Sequence, residues 1–223
     1  VTSLPAVAEG QRAGALLERL LAGDDVALVT DAGSPGISDP GERLVVEAVA
    51  AGVTVSPVPG PAAIIAALSA GGLPTGRFHF LGFLPRQTSE ARAMLEEVRQ
   101  LSATLVLYES PRRVADTLVL LRDVLGARRA VVARELTKLH EEFVRGTLDE
   151  LAARYAGAEV LGEVVVLVEG RVGETRWSEE EVRAALARGL EEGERLKALT
   201  TELSKRAGWS AQELYRLGLS LKA

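Results

Sequence analysis

Residues able to do chemistry gather where apolar runs begin or end. Asp31 follows Val26-Ala27-Leu28-Val29 and opens a glycine- and proline-rich stretch, TDAGSPGISDPG, over 30–41. Tyr108-Glu109-Ser110 ends the run that starts at Thr104. Arg134-Glu135-Leu136-Thr137-Lys138 ends the run Ala130–Arg134, and Gly162-Glu163 opens GEVVVLVE. Charged residues at strand ends of α/β proteins often build sites. The structural reading of the same positions is a salt-bridge network of Glu109, Glu135, Arg112, Arg113 and Arg134 at a domain edge, and the sequence weighs the two equally. Glu141-Glu142 reads as a solvated charge pair rather than a catalytic dyad.

The stretch Val26–Gly41 reads as a buried strand running into a loop and then a helix. Gly33 and Gly36 allow positive φ and close approach of another group to the backbone. Asp39 is expected to cap the following helix, with Pro40 in its first turn. The stretch has neither the GxxxxGK[ST] of a P-loop nor GxGxxG, and alone it reads as a tight connection. A second unit of the same kind follows. Val53–Val58 is expected as a strand, Pro59-Gly60-Pro61 closes it, and Pro61 begins a buried helix over Ala62–Ala70. Two strand–loop–helix units side by side form a crevice.

The elements that must position these residues follow from apolar spacing. Helices are expected over Gln11–Ala22, Glu42–Ala51, Glu90–Leu101, Arg112–Leu125 and Thr147–Tyr155. Strands are expected over Arg77–Leu84, Thr104–Tyr108, Ala130–Arg134 and Gly162–Glu169, the last central. Gly71–Gly76 is the expected linker. Beyond Gly170 no strand is expected. Ser178 caps an acidic helix to Gly193 with Glu181 at capping-box spacing. Leu196–Ala207 and Ala211–Leu219 form a helix pair that reads as a packing unit.

The chain has 223 residues, 47% of them hydrophobic and 26% charged, enough for one large domain or two small ones with a real core. A net charge of −5 excludes a generic nucleic-acid coater but leaves room for a local basic groove. The absence of Cys removes disulfides and thiolate metal sites. His79 and His140 are isolated, so no metal is expected. No run is long enough for a membrane span and no leader pattern is present, so a cytoplasmic location without membrane contact is expected.

Taken as a set, TDAGSPGISDPG, VPGPAA (58–63), FLGFLP (80–85), YESPRRV (108–114), ARELTKLHEEF (133–143) and GEVVVLVEG (162–170) resemble the tetrapyrrole (corrin/porphyrin) methylase superfamily. Within it they are most similar to the small-subunit ribosomal RNA ribose 2′-O-methyltransferases. The resemblance implies an α/β fold of two α/β domains with a cofactor cleft between them, over 1–73 and 74–172, and a small helical region over 173–223. It implies S-adenosylmethionine as cofactor, usually a homodimer, and methyl transfer to a cytidine ribose in the decoding region of 16S rRNA.

The same resemblance implies cofactor contacts from Asp31, Ala32, Gly33, Ser34 and Ile37, and from Pro59, Gly60, Pro61, Ala62 and Ala63. Tyr108, Glu109, Gly162 and Glu163 face them from the second domain. Glu109, Glu135 and Lys138 are the candidate catalytic groups, and Arg112, Arg113 and Arg134 meet RNA phosphate. The alternatives are a corrinoid or porphyrin precursor methylase and a truncated, non-catalytic interaction protein. Family members open with a strand and a PTPIGN-like loop, then a strand with an EDTR-like end, and both are expected upstream of Val1. A His-x-His-Asn-like stretch is replaced by Pro5-Ala6-Val7-Ala8, and Arg112 stands where the family motif has His.

Overall fold

The computed structural model describes residues 2–5, 9–172, 177–204 and 207–221. Ala6–Ala8, part of the replaced stretch at the start, lie outside them. The chain falls into two compact units, Val1–Gly170 and Arg171–Ala223.

The first unit holds helices α1 (Glu9–Leu21), α2 (Glu42–Ala50), α3 (Ala63–Gly71), α4 (Thr88–Val98), α5 (Val114–Leu125) and α6 (Leu148–Tyr155). Its strands are β1 (Phe78–Phe83), β2 (Thr104–Glu109), β3 (Arg129–Arg134), β4 (Glu142–Thr147) and β5 (Val164–Val168). They form one sheet in the order β1-β2-β5-β3-β4. β1 and β2 are parallel, whereas β5 runs antiparallel to both β2 and β3, and β4 antiparallel to β3. β5 is central and buried at all five positions, as its run of β-branched residues requires.

The two faces of the sheet are covered unequally. Leu105, Leu107, Ala130, Val132, Val164 and Val166 face one way, onto Leu95 of α4, Leu118 and Leu121 of α5 and Leu148 and Leu151 of α6. Val106, Val131, Ala133, Val165 and Leu167 alternate onto the other face, where α3 packs through Ile64, Ala67 and Leu68. α3 lies close because Gly71 has no side chain: a Cβ there would come within 2.5 Å of a Leu167 methyl. Arg145, on edge strand β4, holds the same end of α3 by donating from Nε to the Gly71 carbonyl (3.0 Å) and from its other arm to that of Ala70 (2.6 Å). A guanidinium on the last carbonyls of a helix satisfies acceptors that have no partner inside it.

Several expectations are corrected. Neither Val26–Val29 nor Val53–Val58 forms a strand. Among the described residues no neighbouring strand pairs with them, and an extended segment without a ladder is not a sheet element. Their side chains are accordingly open: Val29 is 80% and Val58 91% exposed. Asp39 does not cap α2. The N-cap is Gly41 without a side-chain bond, and Glu9 of α1 accepts from the N–H groups of Gly41 and Arg43 instead. Pro61 precedes the N-cap Ala62 of α3 rather than starting it. α5 begins at Val114, past Arg112 and Arg113. The 142–147 segment is a strand that its mixed composition concealed, and the turn before it keeps Thr137 at φ 65.

The second unit is a three-helix packing unit of α7 (Glu179–Glu191), α8 (Leu196–Ser204) and α9 (Ala211–Ser220). Ser178 with Glu181, and Ser210 with Glu213, form the reciprocal capping boxes that start α7 and α9. Gly189 lies against Leu199 and Gly218 against Leu196, and Trp209 donates to the Trp177 carbonyl at 2.7 Å. Among the described residues no helix is long and apolar enough to cross a membrane.

Candidate functional site

The sheet topology collects the polar strand ends. Because β5 runs antiparallel to its two neighbours, Val164 lies opposite both Glu109 and Arg134. Tyr108-Glu109, Arg134-Glu135 and Gly162-Glu163, far apart in sequence, therefore share one end of the sheet.

Tyr108 is the junction of that end with the loops of the first third of the chain. Its ring meets Phe80 edge-on, with centroids 4.9 Å apart, and Phe83 at 5.6 Å. Burial pushes its hydroxyl above the ordinary pKa, and the charge of Asp39 pushes the same way; a hydrogen bond with the Ile64 backbone opposes them. Three segments thus meet on the α3 face: the 30–41 loop through Asp39, the first turn of α3 through Ile64, and the end of β2. A fourth is β1. Gly82 adopts φ 65 in a bulge between Phe80 and Phe83, and a Cβ there would lie 3.5 Å from the Ser38 hydroxyl. The glycine inside FLGF was the readable sign of this bulge.

The loop residues are open to a ligand. Asp31, Ala32, Gly33 and Ile37 are exposed, Ser34 is half-buried, and the Ile37 N–H closes a turn on the Ser34 carbonyl at 3.3 Å. Thr30 donates to Asp39 at 2.8 Å. Pro59, Gly60 and Pro61 are exposed, while Ala62 and Ala63 are half-buried at the start of α3. Ala62 offers no side-chain cap, so the first N–H groups of α3 point outward as donors.

Glu109 stands apart from Tyr108, because successive strand residues face opposite ways. Its side chain is fully buried beneath the α5 face. One carboxylate oxygen accepts from the Ser110 N–H at 2.7 Å and the other from the Thr117 hydroxyl at 2.6 Å, with the Arg113 guanidinium 3.6 Å away. A carboxylate so placed touches neither solvent nor the α3 face, and Glu109 orders the turn into α5. Arg113 is structural as well. It donates to the Leu84 and Pro85 carbonyls at 3.1 and 3.0 Å, tying the loop after β1 to the loop after β2.

The other two candidate bases neutralise each other. The Lys138 amine lies 2.9 Å from Glu135 and 3.0 Å from Glu163. The Glu163 N–H also donates to Glu135 at 3.0 Å. That N–H, and then Lys138, hold the Glu135 carboxyl below its ordinary pKa. The two carboxylates raise that of Lys138. Near neutrality Lys138 keeps its proton and Glu135 has no pull for another, so neither is poised as a base. Glu135 holds φ 50 and Thr137 φ 65, conformations that non-glycine residues adopt only when their surroundings impose them.

The depressed carboxyl contributes stability above the ordinary value of 4.5 and loses it as pH falls through its folded value. The raised amine contributes below 10.5 and loses it as pH rises through its folded value. Lys138→Met should therefore lower the melting temperature most between those limits. The gap to the unsubstituted chain should close as pH falls well below 4.5. A gap independent of pH would show that Lys138 acts by packing.

The two remaining arginines differ. Arg134 pairs with Glu142 at 3.0 Å and donates to the Leu161 carbonyl, so it is engaged within the fold. Glu142 also faces Arg154 at 3.6 Å, and Glu141 accepts from the Thr137 N–H at 2.7 Å, which corrects the reading of these two acids as merely solvated. Arg112 is exposed and, among the described residues, has no ion-pair or hydrogen-bond partner. Among the described residues no group of three or more His, Asp or Glu side chains could hold a metal.

Comparison with known proteins adds the family. The model of the tetrapyrrole (corrin/porphyrin) methylases matches residues 3–152. A "Ribosomal RNA small subunit methyltransferase I" of Halalkalibacterium halodurans is 50% identical over 155 residues, covering 70% of this chain and 54% of that protein. The chain thus spans about half the length of that relative. One of the same name from Synechocystis is 41% identical over 211 residues, covering 93% of this chain and 76% of that protein. Among solved structures, diphthine synthase superposes with a TM-score of 0.59 at 18% identity, covering 75% of this chain and 68% of that one. The methyltransferase CobJ superposes with 0.53 at 23%, covering 74% and 72%. At such identities these two show the shared α/β fold alone.

Proposed function

The chain belongs to the tetrapyrrole (corrin/porphyrin) methylase family, and from that membership we propose that it is an S-adenosylmethionine-dependent methyltransferase of small-subunit ribosomal RNA. The finer reading is transfer to the 2′-hydroxyl of a cytidine in the decoding region of 16S rRNA, by a cytoplasmic homodimer. The observation that carries the proposal is the meeting at Tyr108 of the 30–41 loop, the start of α3 and the end of β2, in a chain similar to proteins named for this activity.

The residues at that meeting fit the cofactor. A methionine carboxylate suits the uncapped N–H groups at the start of α3. Asp31, exposed at the mouth of the loop, suits ribose hydroxyls or a sulfonium charge. Gly33 and Gly36 let the loop backbone approach closely, and Gly162 and Glu163 close the far side. On this reading the division at 73/74 separates the part carrying the loop and α3 from the part carrying the sheet, with the cleft between them.

S-adenosylmethionine, when bound, supplies an activated methyl group. The chain's own residues then have to align the acceptor oxygen with that methyl group. The Tyr108 ring, backed by Phe80, walls the site on the α3 face. The pair of Lys138 with Glu135 and Glu163 holds the turn that frames it. A proton leaving the ribose oxygen passes to water at the open mouth, since none of the three candidate bases is available.

Calorimetry on this chain should show S-adenosylmethionine binding. Tritiated methyl transfer should label undermodified small ribosomal subunits, and mapping should place the label on a ribose of 16S rRNA. Label on a tetrapyrrole precursor instead would favour a corrin- or porphyrin-directed enzyme. Absence of cofactor binding would favour a non-catalytic interaction protein.

A further inference from the structure

We propose that Phe83, flanked by Arg86 and Arg112, is a platform on which an unpaired base of the RNA substrate stacks while the two arginines hold its neighbouring phosphates. The proposal rests on the RNA-directed reading above and names the part of the surface that meets the RNA.

Phe83 is the last residue of β1 and is 51% exposed, although an aromatic at a strand end gains by burial. The bulge at Gly82 turns it outward, and the ring leans on Tyr108, which is backed in turn by Phe80. The ring is therefore held on one side by Tyr108, tilted 57° to it, while half of it stays open to solvent. A rigid, half-supported ring is what base stacking needs, because little side-chain freedom is lost on binding.

The arginines lie on the loops that follow β1 and β2, the strands whose ends carry Phe83 and Tyr108. Arg86 follows Pro85, and Arg112 precedes Arg113; Arg113 joins those loops through its bonds to Leu84 and Pro85. Buried Glu109 lies beneath Arg113. The scaffold is thus fixed from inside while its two outer guanidiniums are exposed. Among the described residues neither Arg86 nor Arg112 has a hydrogen-bond or ion-pair partner. In a chain of net charge −5, two unpartnered arginines beside an exposed aromatic form a local surface suited to a polyanion. Addition of a protein strand to the β1 edge is disfavoured, because the bulge breaks the row of groups a strand would pair with.

The test uses the full chain, with undermodified small ribosomal subunits as the RNA probe in co-sedimentation and S-adenosylmethionine in calorimetry. Phe83→Ala should weaken subunit binding about 5- to 150-fold, the scale of one lost base stack, and leave cofactor affinity within about twofold. Phe83→Trp should restore binding. Arg86→Gln with Arg112→Gln should weaken it too, and lower the slope of log affinity against log salt by about 1.4 to 1.8, two phosphates' worth. Melting curves verify that each variant is folded.

Unchanged subunit binding by Phe83→Ala overturns the proposal. So does a parallel loss of cofactor affinity, which would place the ring against the cofactor. If the unsubstituted chain binds S-adenosylmethionine but not the subunits, the platform is overturned and cofactor binding stands. If it binds neither, the methyltransferase reading fails with it.

Discussion

Glu109→Ala should destabilise the first unit by about 3 kcal/mol, the lower end of the range for removing one partner of a buried charged pair. The Ser110 N–H and the Thr117 hydroxyl would lose their acceptor, and Arg113 would face an empty space. Thr117 is itself buried, so its hydroxyl could not turn to water. Glu109→Gln should cost about 1–2 kcal/mol, because the amide keeps one acceptor oxygen but introduces donors where donors already point. Urea unfolding gives both numbers. Methyl transfer per folded molecule should fall less than about tenfold in Glu109→Gln, and its pH profile should not move. A fully stable Glu109→Gln with turnover down a hundredfold or more would return the base role to this residue. The expectation runs against the reading of the YES tripeptide alone, where a glutamate after a strand end invites a catalytic part.

Gly162→Ala should cost at least about 2 kcal/mol and disturb the site as well. Gly162 has φ 85, where a Cβ costs about 1–2 kcal/mol by itself. A Cβ would also overlap the Glu135 carboxylate. Glu135 would have to leave the Glu163 N–H and the Lys138 amine, and the strained turn from Glu135 to Thr137 would lose what holds it. Gly157→Ala is the control, since Gly157 has φ 71 but open space around it. Gly162→Ala should exceed Gly157→Ala by at least about 1 kcal/mol in urea unfolding and should alone weaken S-adenosylmethionine binding in calorimetry. Equal costs at the two glycines would show that the Glu135 pairing contributes nothing to the turn.

Which strand ends carry polar groups was legible in the sequence, because the runs of Val, Leu and Ala that precede them are continuous. The centre of the sheet was legible in GEVVVLVE, since only a strand covered on both faces tolerates that run. The capping box at Ser178 and Glu181 was legible because cap chemistry is local. β4 was not, because EEFVRGT has two apolar residues and is a strand only by pairing with β3. The runs at 26–29 and 53–58 misled for the complementary reason: apolar residues favour a strand, but only a neighbour completes one.

The α/β class, the family and the polar residues at the strand ends were readable along the chain, since motif spacing and local propensity encode these directly. What each charged residue does at those ends depends on the folded arrangement. The alternation of β2 puts Tyr108 on the α3 face and Glu109 beneath α5. The antiparallel β5 brings Glu163 to Lys138 across 25 residues, and Arg145 on β4 reaches 74 residues back to hold α3. A side chain's protonation, burial and partners depend on neighbours that are distant in sequence, so residue type and spacing cannot assign them.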